Sequence, residues 1–489
     1  MSAVPPSPEG SSAARPRPDL PPGTDLLPQI KHIVVLMMEN HSYDNYLGML
    51  SGRGDGLTLG PDGTPDAVNN RLDGTPVPLR PAPGPVQVKY APTQSWHASH
   101  LQWDDGGCDG FVASIERLEP RGDATRPMTY WSQDDLPFYY GLASTFPVAD
   151  RWFCSCLGPT FPNRRFMIAG TAHGLIDDLP FCMVDYPPAG TIFDLLEAHG
   201  ISWANYHGVA PVQILAKRIF GLPGLTLARR LTSLLRWLPP AVRTMEGNKS
   251  FTADLYPLGL LRCLRHVKTS KKFFAAAASG ELPGFSIVDP DFNAYSEENP
   301  QDIRKGESYA AEVIRAVMAG PGWPHTLLIW VYDEHGGYYE HVSPPAAVPP
   351  DDIEGHSVLD MPAWVKACLR PFFGKYIAEL EAADAGSMRY DRYGFRVPAV
   401  IVSPYARPDY VCSEVLDHTS VLKLVEQKWN LPPLTRRDAA AASPLAALSL
   451  DSPPAFLPPP ELPGPAVPWA SWHPGGRRRG SSRRFRQHG

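Results

Sequence analysis

The chain has 489 residues, 43% of them hydrophobic, with 19 Phe, 19 Tyr and 12 Trp, so it can bury the core of a large α/β unit. Its formal net charge of -6 argues against a general attraction to nucleic acid, and we expect no specific nucleic-acid partner. The seven cysteines are odd in number and scattered, which argues against a disulfide framework or a zinc site built from paired CxxC motifs.

Residues 1–27 are rich in proline, serine and glycine, and this composition predicts a disordered segment. They contain no apolar stretch of the kind found in secretory signals. Elsewhere in the sequence no run approaches the ~20 apolar residues that a membrane-spanning helix needs. We therefore expect a cytoplasmic protein, secreted only if a leader peptide is missing from the sequence.

Residues 28–431 alternate between strand-like and helix-like segments. "IKHIVVLMMEN" predicts a short apolar strand, and "FPVADRWFCSCLGPTFPNRRFMIAGTAHG" predicts a strand, a Gly-Pro turn and a helix beginning near Thr160. Further on, "GTIFDLLEAHGISWANYH" predicts a helix and a strand, "GESYAAEVIRAVMAG" an amphipathic helix, "PGWPHTLLIWVYDEHGG" and "VPAVIVSPYA" strands, and "TSVLKLVEQKWNL" the last helix. The alternation predicts an α/β catalytic domain with a mostly parallel central sheet between helical layers.

Two basic segments interrupt or follow this domain. Residues 212–243 carry six basic residues and no acidic one, within a predicted helical insertion at about 212–275. That segment either lies on an anionic membrane surface or packs its apolar residues on the body with its arginines solvated. Residues 432–489 are Pro-rich, and their last thirteen residues include six Arg, which predicts a disordered tail with at most weak affinity for polyanions.

Polar residues with oxygen donors follow two of the predicted strands. Glu39 and Asn40 end the first, and Asp333 and Glu334 end the strand in "LLIWVYDEHGG". Two carboxylates at a strand end repel each other unless a cation or a proton lies between them. Either pair alone is typical of helix caps or surface salt bridges, but two such pairs favour one site for a divalent cation, either Mg, Ca, Mn or Zn. Ligands of parallel sheets bind at these strand ends.

Thr160 lies at the predicted start of a helix, in "GPTFPNRRF". The free N–H groups and the dipole of a helix N-terminus favour an anion, and Asn163 and Arg164 in the first turn are placed to bind phosphate oxygens. A threonine at this position is also typical of a simple N-cap. Next to a bound metal, its hydroxyl would instead become a nucleophile. The spacing alone leaves both interpretations open.

Five motifs, taken in order, resemble those of the bacterial phospholipase C and acid phosphatase family of phosphoesterases, which includes plant non-specific phospholipases C. They are "MMENHSYDNYLG", "GPTFPNRRF", "DEHGGYYEHVSPP", "GFRVPAVIVSPYARP" and "LDHTSVLKLVE". The resemblance spans residues 29–430 and implies a core similar to alkaline phosphatase. It also implies one divalent cation held by the Glu-Asn pair, the Asp-Glu pair and a nucleophilic hydroxyl. In this sequence the implied ligands are Glu39, Asn40, Asp333, Glu334 and Thr160.

The resemblance leaves the catalytic histidine open. Within "QSWHASHLQWDDGGCDGF", Gln94 replaces the family's first histidine, so His100 is the first candidate and His97 the second. Glu298-Asn299 likewise replaces a histidine of many relatives.

Three further histidines belong to the predicted site or lie close to it. His335 is a candidate near the metal or substrate, and His341 is a candidate for substrate binding or for bracing its loop. His418 follows Asp417 in a family motif near the metal, and this pair is also typical of a helix cap. A hydrogen-bonded structural role is an alternative for each of these histidines.

The resemblance implies a hydrolase that cleaves phosphate esters through a phosphothreonine at Thr160, with a histidine as proton donor and acceptor. We expect phospholipase C-type cleavage of a phosphodiester, and the basic insertion gives mild support for peripheral membrane contact. The sequence does not indicate which lipid headgroup is preferred. An acid phosphatase acting on monoesters would use the same site. A catalytically silent relative that binds phosphate or lipid is a further alternative. The sequence predicts no oligomeric state.

Overall fold

The computed structural model describes residues 15–87, 92–119, 122–178, 186–207, 255–256, 261–292, 294–356, 367 and 388–472. Most of the predicted basic insertion, from residue 212 to residue 254, lies outside the described residues. The first 14 residues and the Arg-rich end, residues 473–489, also lie outside them.

A six-stranded sheet forms the centre of the molecule, with the strand order β10-β9-β1-β8-β6-β7. Two short two-stranded sheets lie outside it. The strands are β1 (His32–Met38), β2 (Val68–Asn70), β3 (Pro76–Pro78), β4 (Arg80–Pro81), β5 (Thr129–Tyr130), β6 (Trp203–His207), β7 (Val267–Thr269), β8 (Phe285–Val288), β9 (Thr326–Tyr332) and β10 (Ala399–Val402).

Every pairing in the central sheet is parallel except that of the edge strand β10 with β9. Strands of such sheets are covered on both faces, and they therefore read as continuous apolar runs instead of alternating patterns. The sequences HIVVLMM of β1 and TLLIWVY of β9 have this character, and β9 is buried along its whole length. The predicted α/β fold with a mostly parallel sheet is confirmed.

Helices cover the sheet and connect its strands. They are α1 (Tyr43–Leu47), α2 (Trp96–Trp103), α3 (Phe111–Leu118), α4 (Pro137–Thr145), α5 (Thr160–Ala169), α6 (Ile192–Ala198), α7 (Ser270–Ser279), α8 (Ile303–Ala319), α9 (Thr419–Trp429), α10 (Arg436–Ala440) and α11 (Trp469–Trp472). Among the described helices, none combines the length and apolarity needed to cross a membrane.

Within the described residues, one predicted strand is absent, and several observed strands, among them β8 of the central sheet, are not predicted by the sequence. The apolar residues after Phe146 form isolated bridges, such as those of Val148 with Val400 and Val411, and they do not form a strand of the sheet. In contrast, the four residues of β8 form a buried strand between β1 and β6. A run this short has too few residues to show a period, so its place depends on long-range pairing.

Parts of both ends for which the composition predicts disorder pack against the body. At the N-terminal end, the N–H of Arg17 donates a hydrogen bond of 2.8 Å to Asn430 Oδ1, and the N–H of Gly23 donates one to the Trp429 carbonyl. At the other end, residues 451–472, here called the C-terminal strap, lie against α8. Arg315 donates a hydrogen bond of 2.6 Å to the Pro463 carbonyl. Composition misses this order because it depends on partners far away in the sequence.

Candidate active site

The carboxyl ends of β1 and β9 bring the two predicted pairs of oxygen ligands together. The strands are parallel neighbours, with Met38 paired to Tyr332, so the next residues of both strands emerge side by side. The backbone N–H of Asn40 donates a hydrogen bond of 3.1 Å to Asp333 Oδ1. The Oγ1 of Thr160 lies 3.5 Å from Asn40 Oδ1, to which it donates. Chain segments that are distant in sequence thus meet at one edge of the sheet.

These side chains are almost completely removed from solvent. Glu39, Asp333 and Glu334 are at most 1% exposed. Burial raises the pKa of Glu334 well above its ordinary value, and the nearby charges of Asp333, Asp178 and Glu39 raise it further. Among the residues that the structure describes, none forms a hydrogen bond with the buried Oε1 of Glu334. An orphaned oxygen among mutually repelling carboxylates is the arrangement that a divalent cation would relieve.

Thr160 is the first residue of α5, as the sequence predicts, and the preceding Pro159 has extended backbone. The N–H of Phe161 donates a hydrogen bond of 2.9 Å to Asp178 Oδ1. A carboxylate is therefore the protein partner of one N–H group at this helix N-terminus, in keeping with the preference of such ends for negative charge. Sequence reasoning did not identify Asp178.

Asn163 and Arg164 make protein contacts that differ from the phosphate contacts expected of them. The Asn163 amide binds the turn before Thr160: Nδ2 donates to the carbonyls of Gly158 and Pro159, and Oδ1 accepts from the N–H of Cys156. Asn163 is fully buried and therefore stabilises the turn that presents Thr160.

The Arg164 guanidinium is buried among carboxylates. Its Nε lies 2.8 Å from Asp333 Oδ2, and its Nη1 lies 2.9 Å from Asp289 Oδ1. Arg164 thus neutralises part of the acidic cluster and orients Asp333. Asp289 follows β8 directly, in the same position relative to its strand as the predicted ligand pairs, so the pattern of an apolar strand ending in a carboxylate would have identified it.

The two candidate histidines near residue 100 lie on α2, beside the turn that precedes Thr160. A Cβ added to Gly158 would lie 3.1 Å from the indole of Trp96, the first residue of α2. His100 Nδ1–H donates a hydrogen bond of 2.7 Å to the Trp96 carbonyl. Burial lowers the pKa of His100, and the charge of His97 lowers it further. His97 itself is buried.

His335 has a buried environment that holds it neutral. Its Nε2–H donates a hydrogen bond of 2.7 Å to Gln102 Oε1, and its ring centroid lies 4.6 Å from that of Phe395. Burial lowers the pKa of His335 to about 3. Nδ1 lies 3.4 Å from Glu334 Oε2, so His335 adjoins the acidic cluster as an uncharged ring at neutral pH.

His341 belongs to a second cluster, in which Asp44, Glu340 and His341 place their ligand atoms within 4.8 Å of one another. A buried guanidinium already lies among the carboxylates, because Arg396 Nη2 is 2.7 Å from Glu340 Oε1 and 3.2 Å from Asp44 Oδ1. His341 Nδ1–H donates to Asp44 Oδ2 at 2.7 Å. His341 thus joins an ion-paired network that braces its loop, one of the two roles predicted for it.

His418 contacts the backbone of the predicted metal ligand Asp333. Its Nε2–H donates a hydrogen bond of 2.6 Å to the backbone carbonyl of Asp333, and Trp152 Nε1 lies 3.4 Å from its Nδ1. Asp417 instead accepts hydrogen bonds from Ser155 and Thr419. His418 therefore lies near the predicted metal ligands, which is one of the two interpretations given for the Asp417-His418 pair.

Comparisons with known proteins agree with the motifs. The model of the phosphoesterase family matches residues 30–432. Phospholipase C B of Mycobacterium tuberculosis is 28% identical over 459 residues, which cover 88% of this chain and 79% of that protein. Non-specific phospholipase C1 of Arabidopsis thaliana is 29% identical over 442 residues, which cover 85% and 70%. A solved protein of the alkaline phosphatase superfamily from Vibrio parahaemolyticus aligns at 10% identity with a TM-score of 0.34, over 87% of this chain and 71% of that one.

Proposed function

Because this chain belongs to the phosphoesterase family, and is therefore a hydrolase of phosphate esters, we propose that it cleaves phosphodiesters in the manner of a phospholipase C. In this proposal the reaction is metal-dependent and proceeds through a phosphothreonine at Thr160. The observation that carries the proposal is the hydrogen bond of Thr160 Oγ1 to Asn40 Oδ1, at the edge where Asn40 also contacts Asp333.

The residues present fit one divalent cation. Glu39, Asn40, Asp333, Glu334 and Thr160 would hold it through oxygen atoms, which Mg, Ca and Mn prefer and Zn also accepts. The unpaired Oε1 of Glu334 and the raised pKa of this carboxyl support a cation there. When bound, the metal would lower the pKa of the Thr160 hydroxyl and offset negative charge on the phosphoryl group.

Thr160 supplies the nucleophile in the proposed mechanism. Its hydroxyl loses a proton to water, Oγ attacks phosphorus, and the bond between phosphorus and the leaving alcohol oxygen breaks. Water then attacks the phosphothreonine, the bond from phosphorus to Oγ breaks, and the threonine hydroxyl regains a proton. Asn163 contributes indirectly, because it holds the turn from which α5 presents Thr160.

His100 is the preferred residue for proton transfer. Its Nδ1–H is engaged by the Trp96 carbonyl, which leaves Nε2 as the nitrogen that gives a proton to the leaving alkoxide and takes one from water. His97 is the second candidate. His335 is disfavoured because burial lowers its pKa to about 3.

A phospholipid diester is the preferred substrate because relatives named phospholipase C align over most of this chain. The test is hydrolysis of p-nitrophenylphosphorylcholine, a diester, against p-nitrophenyl phosphate, a monoester. We expect the diester to be favoured, and Thr160→Ala to lower kcat/KM by about a thousandfold or more. Thr171→Ala is the matched control, since Thr171 follows the same helix but donates its hydroxyl to Asp351.

The other outcomes separate the alternatives. Preference for the monoester would support the acid phosphatase alternative. Phosphate binding without turnover of either compound would support a catalytically silent relative. Full activity of Thr160→Ala would refute the phosphothreonine. Metal dependence is tested separately by metal analysis of the purified protein and by the shift in Tm on adding each of the four cations. A wild-type chain that binds none of them would refute the proposed cofactor.

A further inference from the structure

Glu297 is a buried carboxylate that the mechanism above does not use. Its side chain is fully buried, and its backbone has a φ of 78°, in the left-handed region that non-glycine residues seldom adopt. A residue is held in such a conformation only when the surrounding contacts determine it. The contacts of Glu297 include His41 and Tyr332, each of which is next to one pair of predicted metal ligands.

The backbone around Glu297 holds the segment that follows β1. The N–H of Glu39 donates a hydrogen bond of 3.1 Å to the Ser296 carbonyl. His41 Nε2 lies 3.2 Å from the Glu297 carbonyl oxygen. These contacts lie on either side of Asn40, so the loop at residues 296–297 fixes the backbone of the Glu39-Asn40 pair.

The carboxylate of Glu297 holds the end of β9. Its Oε2 accepts a hydrogen bond from the hydroxyl of Tyr332, the last residue of β9 and the one directly before Asp333. Its Oε1 accepts a hydrogen bond of 2.8 Å from the hydroxyl of Tyr139, which lies on α4. One side chain therefore connects the helical layer to the strand that carries Asp333 and Glu334.

The helix α8 leaves space for this carboxylate at a single glycine. A Cβ added to Gly306 would lie 2.1 Å from Glu297 Cγ and 2.2 Å from its Oε1. Contacts this short do not occur between real atoms, so any larger residue at position 306 would displace the Glu297 side chain. The packing of α8 and the placement of Glu297 are therefore matched to each other.

We propose that Glu297 is a positioning residue for the metal site. The Ser296-Glu297 backbone contacts Glu39 and His41, on either side of Asn40, and the Glu297 side chain holds Tyr332, next to the Asp333-Glu334 pair. In this way the loop would set the separation of the oxygen donors before a cation arrives. This inference rests on the proposed function, because it assumes that these donors hold a divalent cation. Residues that orient metal ligands without touching the metal typically change its affinity 10–100-fold when they are replaced.

A matched pair of hydroxyl deletions tests this role. Tyr332→Phe and Tyr139→Phe each remove one hydrogen bond to the same carboxylate, but only Tyr332 adjoins a predicted metal ligand. We expect Tyr332→Phe to raise the Kd for Mn or Ca at least about tenfold, measured by isothermal titration calorimetry on the full chain. Tyr139→Phe should change the Kd less than about threefold, although both variants lose a buried hydrogen bond.

A second pair replaces buried carboxylates. Glu297→Gln should weaken cation binding by a similar factor, since Tyr139 and Tyr332 donate to different oxygens and the amide nitrogen cannot accept at the position it replaces. Glu307→Gln is its control, because Glu307 is equally buried but accepts from the N–H groups of Phe138 and Ala466 instead. Measuring Tm for all four variants shows whether each protein is folded at the temperature of titration.

The outcomes distinguish this inference from the proposal on which it rests. If the wild-type chain binds no divalent cation, the proposed function fails. If the wild type binds one, and Tyr332→Phe and Glu297→Gln bind it as tightly as their controls, the positioning role is overturned. Weaker binding confined to Tyr332→Phe and Glu297→Gln supports it.

Discussion

Asp333 is oriented from several directions before any ligand is considered. Its Oδ1 accepts from the N–H groups of Asn40 and Glu334, and its Oδ2 accepts from Arg164 Nε. Glu334 differs, because the Gly336 N–H engages Oε2 and leaves Oε1 unpaired among the described residues. The two adjacent carboxylates therefore differ in their contacts: both oxygens of Asp333 accept hydrogen bonds, whereas only one oxygen of Glu334 does so among the described residues.

His341 is expected to make stability depend on pH. Burial opposes its charge, but the hydrogen bond to Asp44 and the charges of Asp44 and Glu340 outweigh burial and the repulsion of Arg396, and they raise its pKa to about 9. A pKa raised above the unfolded value of 6.5 gives stabilisation that is complete below pH 6.5 and is lost as pH rises through 9. Asp55, the other charged group facing the ring, lies 3.4 Å from Nε2.

The measurement compares His341→Asn with the wild type by urea unfolding at pH 6, 7.5 and 9. Asparagine retains an N–H donor but takes up no proton in this range. We expect the wild-type advantage to shrink by about 1–2 kcal/mol from pH 6 to pH 9, a value reduced for the partial exposure of the ring. An advantage that is equal at all three pH values would contradict the charged state of His341.

For single residues, the sequence predicts where the proposed metal ligands lie, but it does not predict which residues contact them. Asn40 and Asp333 can be placed together because each follows an apolar run, and parallel strands end at one edge. Asp178 follows no such run, so only the folded chain reveals its bond to the first turn of α5. The residue types of Asn163 and Arg164 predict phosphate binding, but both side chains form hydrogen bonds with buried groups of the protein.

The helix α8 contacts three different parts of the molecule. Its apolar stripe packs inward, Gly306 accommodates Glu297, and its outer side supports the C-terminal strap. The stripe is visible in the sequence as a helical period, so the helix itself was predicted. The sequence does not predict the strap, because prolines and small residues show no period and the hydrogen bonds of the strap are to partners far away in the sequence.

The strap is expected to stabilise the fold through Trp469. The indole packs against Tyr295 and Tyr309, with ring centroids 5.0 Å and 5.7 Å away. Replacing Trp469 by Ala should lower the free energy of unfolding by about 1–3 kcal/mol, less than for a fully buried Trp because this side chain is half-buried. Leu457→Ala is the control, because Leu457 lies in the same strap with 45% exposure.

Thermal unfolding of the two strap variants provides the measurement. Tm should fall by several degrees for Trp469→Ala and remain within about one degree for Leu457→Ala. Equal values for both variants would mean that the strap lies on α8 without contributing to stability.

Positive charge is concentrated at the C-terminal end of the whole molecule. Six arginines fall in residues 477–489, so the remaining 39 basic and 51 acidic residues give the rest of the chain a net charge of -12. The candidate site is assembled entirely from residues before this end. We therefore expect a chain truncated after residue 476 to hydrolyse p-nitrophenyl substrates with unchanged kcat/KM. A clear loss in the truncated chain would show that the arginines take part in catalysis on small substrates.

The fold class could be predicted from the sequence, but the order of the strands in the sheet could not. Alternating apolar strands and amphipathic helices are enough to indicate a parallel α/β sheet. The order of the strands is not contained in any local pattern, since β8 inserts between β1 and β6 from a distant part of the chain. The same holds for the antiparallel edge strand β10, whose apolar residues look like those of its parallel neighbours.

The pairing of β1 with β9 also determines when the site can exist during synthesis. Asn40 and Asp333 are separated by 293 positions, so the first half of the site leaves the ribosome long before the second is made. At about 5–20 residues per second the interval is on the order of 15–60 seconds. A nascent chain therefore lacks half of the candidate site until translation has passed β9.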